Sequence, residues 1–373
     1  MKRVLHLICL LAVAALLPSA LFISRGLPAD TRPYVEQKYA GWNGVLRAWI
    51  CADWECAGSF TRWLNACAAS FEKNHDGVYI EFTPVSAEVL QRMNDSGIRP
   101  PELILFSPGA VGNLAGLKEI AVPDALRSEL RSVRSHAYPV AMGGYIWAYN
   151  PTLSSKTSFA VPSDDAAHSY SAAGIALMSD VPGEDAPEDA LPDAGLDLGL
   201  PASAAQEPQE EGLIVADDAL DRFIRGELPA VIASQSDLAR LIRLRDSGRG
   251  PDWVLSPSGG AAYTDQLLLL GIVAQAGDAA EERESLAEAF AAGLLEFDAQ
   301  SKLADIGAFS VTGERIYPDF SDYAQLDILL NSRELIVTGD PRRSPPDCSE
   351  LLRSLVRGAI DPGNAIARLR GDI

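Results

Sequence analysis

The stretch PVAMGGYIWAYNPTL, Pro139 to Leu153, holds the first residues whose types and spacing could do chemistry. Tyr145, Trp147 and Tyr149 alternate with Ile146 and Ala148, so a strand would place all three rings on one face. Such a face either joins a core or offers flat apolar surface to a ligand, which is the chemistry of binding rather than of bond-making. Asn150-Pro151 then ends the strand, and Gly143-Gly144 introduces it. Motifs for catalysis are absent: there is no Gly-x-Ser-x-Gly elbow, no His-Glu-x-x-His and no glycine-rich phosphate loop, and His136 and His168 stand isolated. An enzyme is not expected, and no cofactor is implied.

Cysteine chemistry is the other candidate. Cys51, Cys56, Cys67 and Cys348 lie outside the apolar amino end, and four cysteines allow three disulfide connectivities, which the sequence does not choose between. Zinc fits poorly, because no histidine sits at ligand spacing and His75 is merely the nearest. Buried or disulfide-linked cysteines are the expectation, with no metal site.

The whole chain, 373 residues at a formal charge of −20, is large enough for two lobes with a real core. That charge argues against a nucleic-acid partner, since a phosphate backbone would be repelled; a neutral or cationic ligand is easier to hold. Lys2 and Arg3 precede an apolar run from Val4 to Ile23, which reads as an export signal over residues 1–29. A run of that length serves equally as a cleaved signal or as an uncleaved membrane anchor.

The elements that must position any site begin at Gly44. VLRAWI reads as a buried strand, GSFTRWLNACAASFEKNH as a helix with Phe60, Trp63, Leu64, Cys67 and Phe71 on one face, and GVYIEFTPV as a second strand. SAEVLQRMND and PELILFSPG repeat the crossover, so an open α/β sheet is expected, with ligands beyond the carboxyl ends of its strands. The loops at that edge are CADWECAG and SPGAVG. Between Thr157 and Asp221 there is no lysine or arginine but fifteen acidic residues. Residues 180–212 are expected to be a mobile, solvated, proline-rich linker, with calcium or partner binding as the other use. FIRGELPAVIASQSDLARL then reads as helix end, strand and capped helix, and DWVLSPSGG as a strand. From Thr264 onward TDQLLLLGIVAQAG, AAEERESLAEAFAAGLLEFDAQSKLADIG, FSDYAQLDILLNS and CSELLRSLVRGAI are predicted to be largely helical.

This order of elements resembles the extracellular solute-binding proteins of ABC importers, the maltose- and oligosaccharide-binding group. RAWICADWECAGSFTRWLNACAASFEKNHDGVYIEF is similar to that family's opening strand, helix and second strand, PPELILFSPG to its third strand, and YPVAMGGYIWAYN to its crossover between lobes. FIRGELPAVIASQSDLARL and LLEFDAQSKLADIGAFSV are similar to later family segments. The resemblance runs roughly from Val45 to Tyr323. It implies a two-lobed, type II periplasmic-binding-protein-like α/β fold with hinge crossings: one lobe from 44–139 plus 263–311, the other from 140–262 plus 312–373. The acidic stretch stands where the family has structured residues, so a reduced second lobe is expected.

The resemblance also implies a small-molecule solute, most simply a sugar, and a membrane permease as partner. Sugars need rings to stack on and directional polar groups. Under that reading the ligand-binding candidates are Asp53 and Trp54 in the first loop, Phe106 and Ser107 after the third strand, and Gly143, Gly144 and Tyr145 at the crossover. Ser234, Gln235 and Ser236 follow a later strand, and Trp253, Tyr263 and Asp265 lie near the second hinge. Core packing or a helix cap is the competing role for each. The two glycines would let a ligand approach the backbone. A membrane-anchored scaffold or sensor reusing the fold is the alternative function.

Overall fold

The alternate residues Leu46, Ala48 and Ile50 of the apolar segment after Gly44 are all buried in β1 (Gly44–Cys51). The computed structural model describes residues 41–93, 100–108, 110, 116–131, 136–153, 159–162, 169–178, 213–256, 261–337 and 348–371. The expected export segment 1–29 and the expected mobile segment 180–212 lie outside the described residues. After Ser59 the helix α1 (Phe60–Glu72) buries Phe60, Trp63, Leu64, Cys67 and Ala68, the three-and-four spacing read from the sequence. The indole of Trp63 is satisfied by the Ala299 carbonyl at 2.9 Å.

β2 (Val78–Pro84) pairs parallel with β1 from Gly44 opposite Val78 to Ile50 opposite Pro84, completing the first β-α-β unit. β3 (Leu103–Phe106) pairs parallel on the other side of β1. The remaining strands are β4 (Tyr138–Met142), β5 (Tyr145–Tyr149), β6 (Phe159–Pro162), β7 (Leu213–Ala216) and β8 (Ala230–Ser234), then β9 (Val254–Ser256), β10 (Ala261–Thr264), β11 (Leu267–Ile272) and β12 (Glu334–Val337). They form a sheet ordered β2-β1-β3-β11-β4, a second ordered β7-β6-β8-β5-β9, and a β10-β12 pair. The chain therefore leaves the first sheet after Met142 and enters the second at Tyr145, with only Gly143 and Gly144 between. It returns between Thr264 and Leu267.

The segment predicted as a helix from Thr264 is instead β11, antiparallel to β3 at Leu269 opposite Phe106 and to β4 at Leu267 opposite Met142. Its residues are buried throughout, so the run of leucines has no polar face to reveal a period, and a short continuous apolar run reads equally as buried helix or buried strand. The helices that follow are real but shorter than expected: α4 (Ala280–Gly293) stops before a separate turn of helix, and α5 (Ala324–Ser332) and α6 (Cys348–Val356) follow.

The second sheet is covered on both faces. Phe159, Val161, Trp147 and Ile232 belong to the principal core with α2 (Ser169–Leu177) and α6, whereas Ala148, Ala160, Val231 and Ala233 pack in a smaller cluster with Phe223 and Leu241. α2 has apolar residues around its whole circumference, which suits a helix enclosed on all sides. A side chain at Gly174 would meet Leu352 and Ile232, so its absence lets α2 lie close to both α6 and the sheet. Among the described residues no helix is long and apolar enough to cross a membrane.

Candidate functional site

The crossing between the sheets is built from neutral amides, one phenol and one carboxylate, Asp265. Tyr145 opens β5, and its hydroxyl donates to Asp265 Oδ1 at 2.9 Å and accepts from Gln266 Nε2 at 2.8 Å. α3 (Gln235–Asp246) begins immediately after β8, and its first residue, Gln235, is fully buried. The Gln235 side chain accepts from the Gly144 amide at 3.0 Å, donates to the Glu55 carbonyl at 2.8 Å and donates to Gln266 Oε1. A Cβ on Gly143 would collide with both glutamines, and one on Gly144 would collide with Leu330. The glycine pair thus clears space that the protein's own side chains occupy. Neither glycine has a positive φ, so close approach rather than backbone conformation demands them.

A cavity of about 470 Å³ opens beside this crossing, at the carboxyl ends of β1 and β2. Trp54, Glu55 and Cys56 form one wall, Ser59, Phe60 and Thr61 another, and Pro84 and Val85 a third. Trp54 meets Phe60 edge to face with centroids 4.7 Å apart. The indole N–H of Trp54 finds no acceptor among the described residues; those of Trp147 and Trp253 are in the same position, but neither lines the cavity. Its loop is held by the Asp53 amide donating to Ser107 Oγ at 2.9 Å and by the Gly58 amide donating to the Ile306 carbonyl at 2.9 Å. Burial pushes the Cys56 thiol up to about 11, so it is protonated at neutral pH and a poor nucleophile. Among the described residues Cys51, Cys56 and Cys67 form no disulfide. An aromatic wall beside a carboxylate and two hydroxyls suits reversible binding of a polar molecule with apolar faces.

The sequence candidates divide into two groups. Trp54 lines the cavity and Asp53 adjoins it, exposed. Gly143, Gly144, Tyr145, Gln235 and Asp265 meet at the crossing. The rest serve the framework in this structure. Phe106 is core, and Ser107 holds the first loop. Ser234 caps α3 in a reciprocal capping box with Asp237, and Ser236 bonds to Ser234 at 2.9 Å. Tyr263 packs its ring 5.7 Å from that of Tyr145. Trp253 lies under the Arg245 guanidinium at 5.0 Å, toward the far end of α3. The sequence reading passed over Gln266 and the cavity residues Glu55, Ser59 and Thr61. Gln266 adjoins a named candidate and was signalled by the same turn between two apolar strands; the others sit in the loop after β1 and in the first turn of α1.

No protein-family model and no curated protein matches the sequence. Among solved structures, the cyclic alpha-maltosyl-1,6-maltose binding protein from Arthrobacter globiformis is similar at 11% identity and a TM-score of 0.56, over 88% of this chain and 97% of that one. RafE from Streptococcus pneumoniae, in its apo form, is similar at 13% identity and a TM-score of 0.56, over 89% and 98%. The maltodextrin binding protein MalE1 from L. casei BL23 is similar at 13% identity and a TM-score of 0.53, over 88% and 97%. The chain has the two-lobed, type II periplasmic-binding-protein-like α/β fold. The expected reduction of the second lobe is not confirmed: the second sheet has five described strands, as many as the first.

Proposed function

We propose that this protein is an extracytoplasmic receptor that captures a small polar solute, a sugar or short oligosaccharide, and delivers it unaltered to the permease of an ABC importer. The observation that carries the reading is the cavity beside Trp54, because it lies at the carboxyl ends of parallel strands, where open α/β sheets hold ligands. Its volume is within the range of small-molecule sites, roughly 300 to 1,000 Å³. Trp54 and Phe60 offer apolar faces for a pyranose ring, and Glu55, Ser59 and Thr61 offer acceptors and donors for its hydroxyls. The fold supports the reading, since two of the similar structures are named for maltosaccharide binding. The apolar amino end supports export. The lobe with the cavity is the one built on the first sheet, which the chain leaves after Met142, a little beyond the expected boundary at 139, and rejoins at Leu267; the lobe that closes on it is built on the second sheet.

Isothermal titration of the protein with maltose, maltotriose, raffinose and cyclic maltosaccharides tests the reading. Heat with at least one sugar and a matching rise in melting temperature are expected, since a ligand that binds only the folded state stabilises it. Trp54→Ala then weakens binding by roughly 1 to 3 kcal/mol, the loss of an anchoring aromatic contact, with little change in stability. Silence across the panel favours the second reading, a membrane-anchored scaffold or sensor without a solute. One observation favours that alternative: Tyr145 and Gln235 spend their polar atoms on the protein itself.

A further inference from the structure

The amide of Gln235 joins three parts of the molecule that sequence separates widely. Its Nε2 reaches the Glu55 carbonyl, 180 residues away, in the loop that walls the cavity. The same nitrogen donates to Gln266 Oε1 at the return crossing, and Oε1 receives the Gly144 amide at the outward crossing. Its backbone grips the same point, because the Gln235 N–H donates to the Gly144 carbonyl at 3.2 Å. Gln235 is fully buried, so each bond is made away from competing water. We infer that Gln235 is a positioning residue: through the Glu55 carbonyl it fixes the Trp54 loop to the hinge, so that movement of the two sheets changes the shape of the cavity. The inference rests on the solute-receptor reading for its purpose, though not for its geometry.

Three features make Gln235 suited to this task. It is the first residue of α3, and the reciprocal Ser234–Asp237 cap fixes that helix start, so its own backbone does not move independently. The Gly143–Gly144 pair leaves no side chain that could take its place. Among the described residues the Trp54 loop has few other hydrogen-bonded anchors: the Asp53 amide to Ser107, the Gly58 amide to Ile306 and the Cys56 thiol to the Gly58 carbonyl. Only the Gln235 bond ties this loop to the second sheet among the anchors named.

Amide hydrogen exchange on the full chain without ligand tests the inference directly. Gln235→Met keeps length and removes every side-chain bond; Gln235→Glu, assayed at a pH where the new carboxyl is ionised, keeps the acceptor for Gly144 and loses the donor to Glu55. In both, exchange in peptides covering residues 52–58 should rise about threefold to tenfold, the worth of one net hydrogen bond, while β1 amides stay unchanged. Gln266→Met removes a neighbouring amide but leaves the Gln235 bond to Glu55, so those peptides should keep their wild-type rate. Unchanged exchange at 52–58 in both Gln235 variants, or an equal rise in Gln266→Met, would overturn the inference. If Gln235→Met does not fold, Gln235→Glu decides alone. In parallel, titration with the sugar panel should show weaker binding in the Gln235 variants by a similar factor. A wild-type protein that binds no sugar removes the solute reading while leaving the exchange result to judge the loop's attachment.

Discussion

Two buried polar knots stand at opposite ends of the first sheet, and they use different chemistry. At the amino end of β3, Glu102 and Arg283 form an ion pair at 3.0 Å with side-chain exposures of 0% and 5%. Glu102 also accepts the Arg47 amide at 2.8 Å, and Arg283 donates to Gln275 at 3.1 Å and to the Ala276 carbonyl at 3.1 Å. At the carboxyl end, the crossing between sheets is held by Gln235, Gln266 and Tyr145, with Asp265 the one charged partner. Separating a buried ion pair exposes an uncompensated charge, whereas separating neutral amides costs about a hydrogen bond each. The ionic knot suits a joint that never opens. The amide knot suits one that does.

Removing one ion should therefore have the largest effect. Glu102→Ala leaves Arg283 buried without its carboxylate, and a loss of about 3 to 5 kcal/mol in unfolding free energy is expected. Urea denaturation followed by circular dichroism measures it. A loss below about 1 kcal/mol would show that the two knots are energetically alike and break the comparison.

Tyr145→Phe probes the other knot. It deletes one hydroxyl, so Asp265 loses one donor and Gln266 one acceptor. Both partners are half-buried, and water can replace part of what is lost. The expected cost is about 1 kcal/mol by the same measurement. A cost rivalling that of Glu102→Ala would mean that the crossing is as rigid as the ionic joint.

The asymmetry between the knots also explains what the sequence disclosed. β1, α1 and β2 were legible because their buried positions recur at two or at three and four residues, with Leu46, Ala48 and Ile50 in the strand and Trp63, Leu64 and Cys67 in the helix. β11 was not, since Leu267 to Ile272 is apolar at every position and carries no period. Trp54, Gly143, Gly144, Tyr145 and Gln235 stood out as residue types at turns between elements. What turned Gln235 toward the protein rather than toward solvent was the position of Glu55, 180 residues earlier in the chain. Tertiary pairing of that kind leaves no local pattern. Gln266, Glu102 and Arg283 were missed for the same reason: each gains its role from a partner brought close only by the fold.

Asp327 sharpens the comparison with the smallest effect, because it is a buried carboxylate held by amides. It lies in α5 with no exposed surface and accepts the Ile316 and Tyr317 amides on one oxygen at 2.9 Å each. The Asn331 side chain donates to its other oxygen at 2.9 Å. Burial raises its pKa above the ordinary carboxylate value, and the amide donors of Tyr317 and Ile316 only partly offset that. The sign follows from linkage. A folded-state pKa above the unfolded one means the native state binds the proton more tightly, so this group's contribution is fully present below the ordinary aspartate range and is lost as pH rises through the raised value. Asp327→Asn removes the titration and keeps an acceptor for the two backbone amides. Its new NH2 faces the Asn331 side-chain donor, which adds a cost to the variant that does not depend on pH. The difference in unfolding free energy between variant and wild type, measured in urea from about pH 4 to pH 7, should shift steadily in the variant's favour as pH rises. A difference that stays flat, or runs the other way, would mean that the groups around Asp327 offset its burial in full, and the distinction between ionic and amide joints would lose its physical basis.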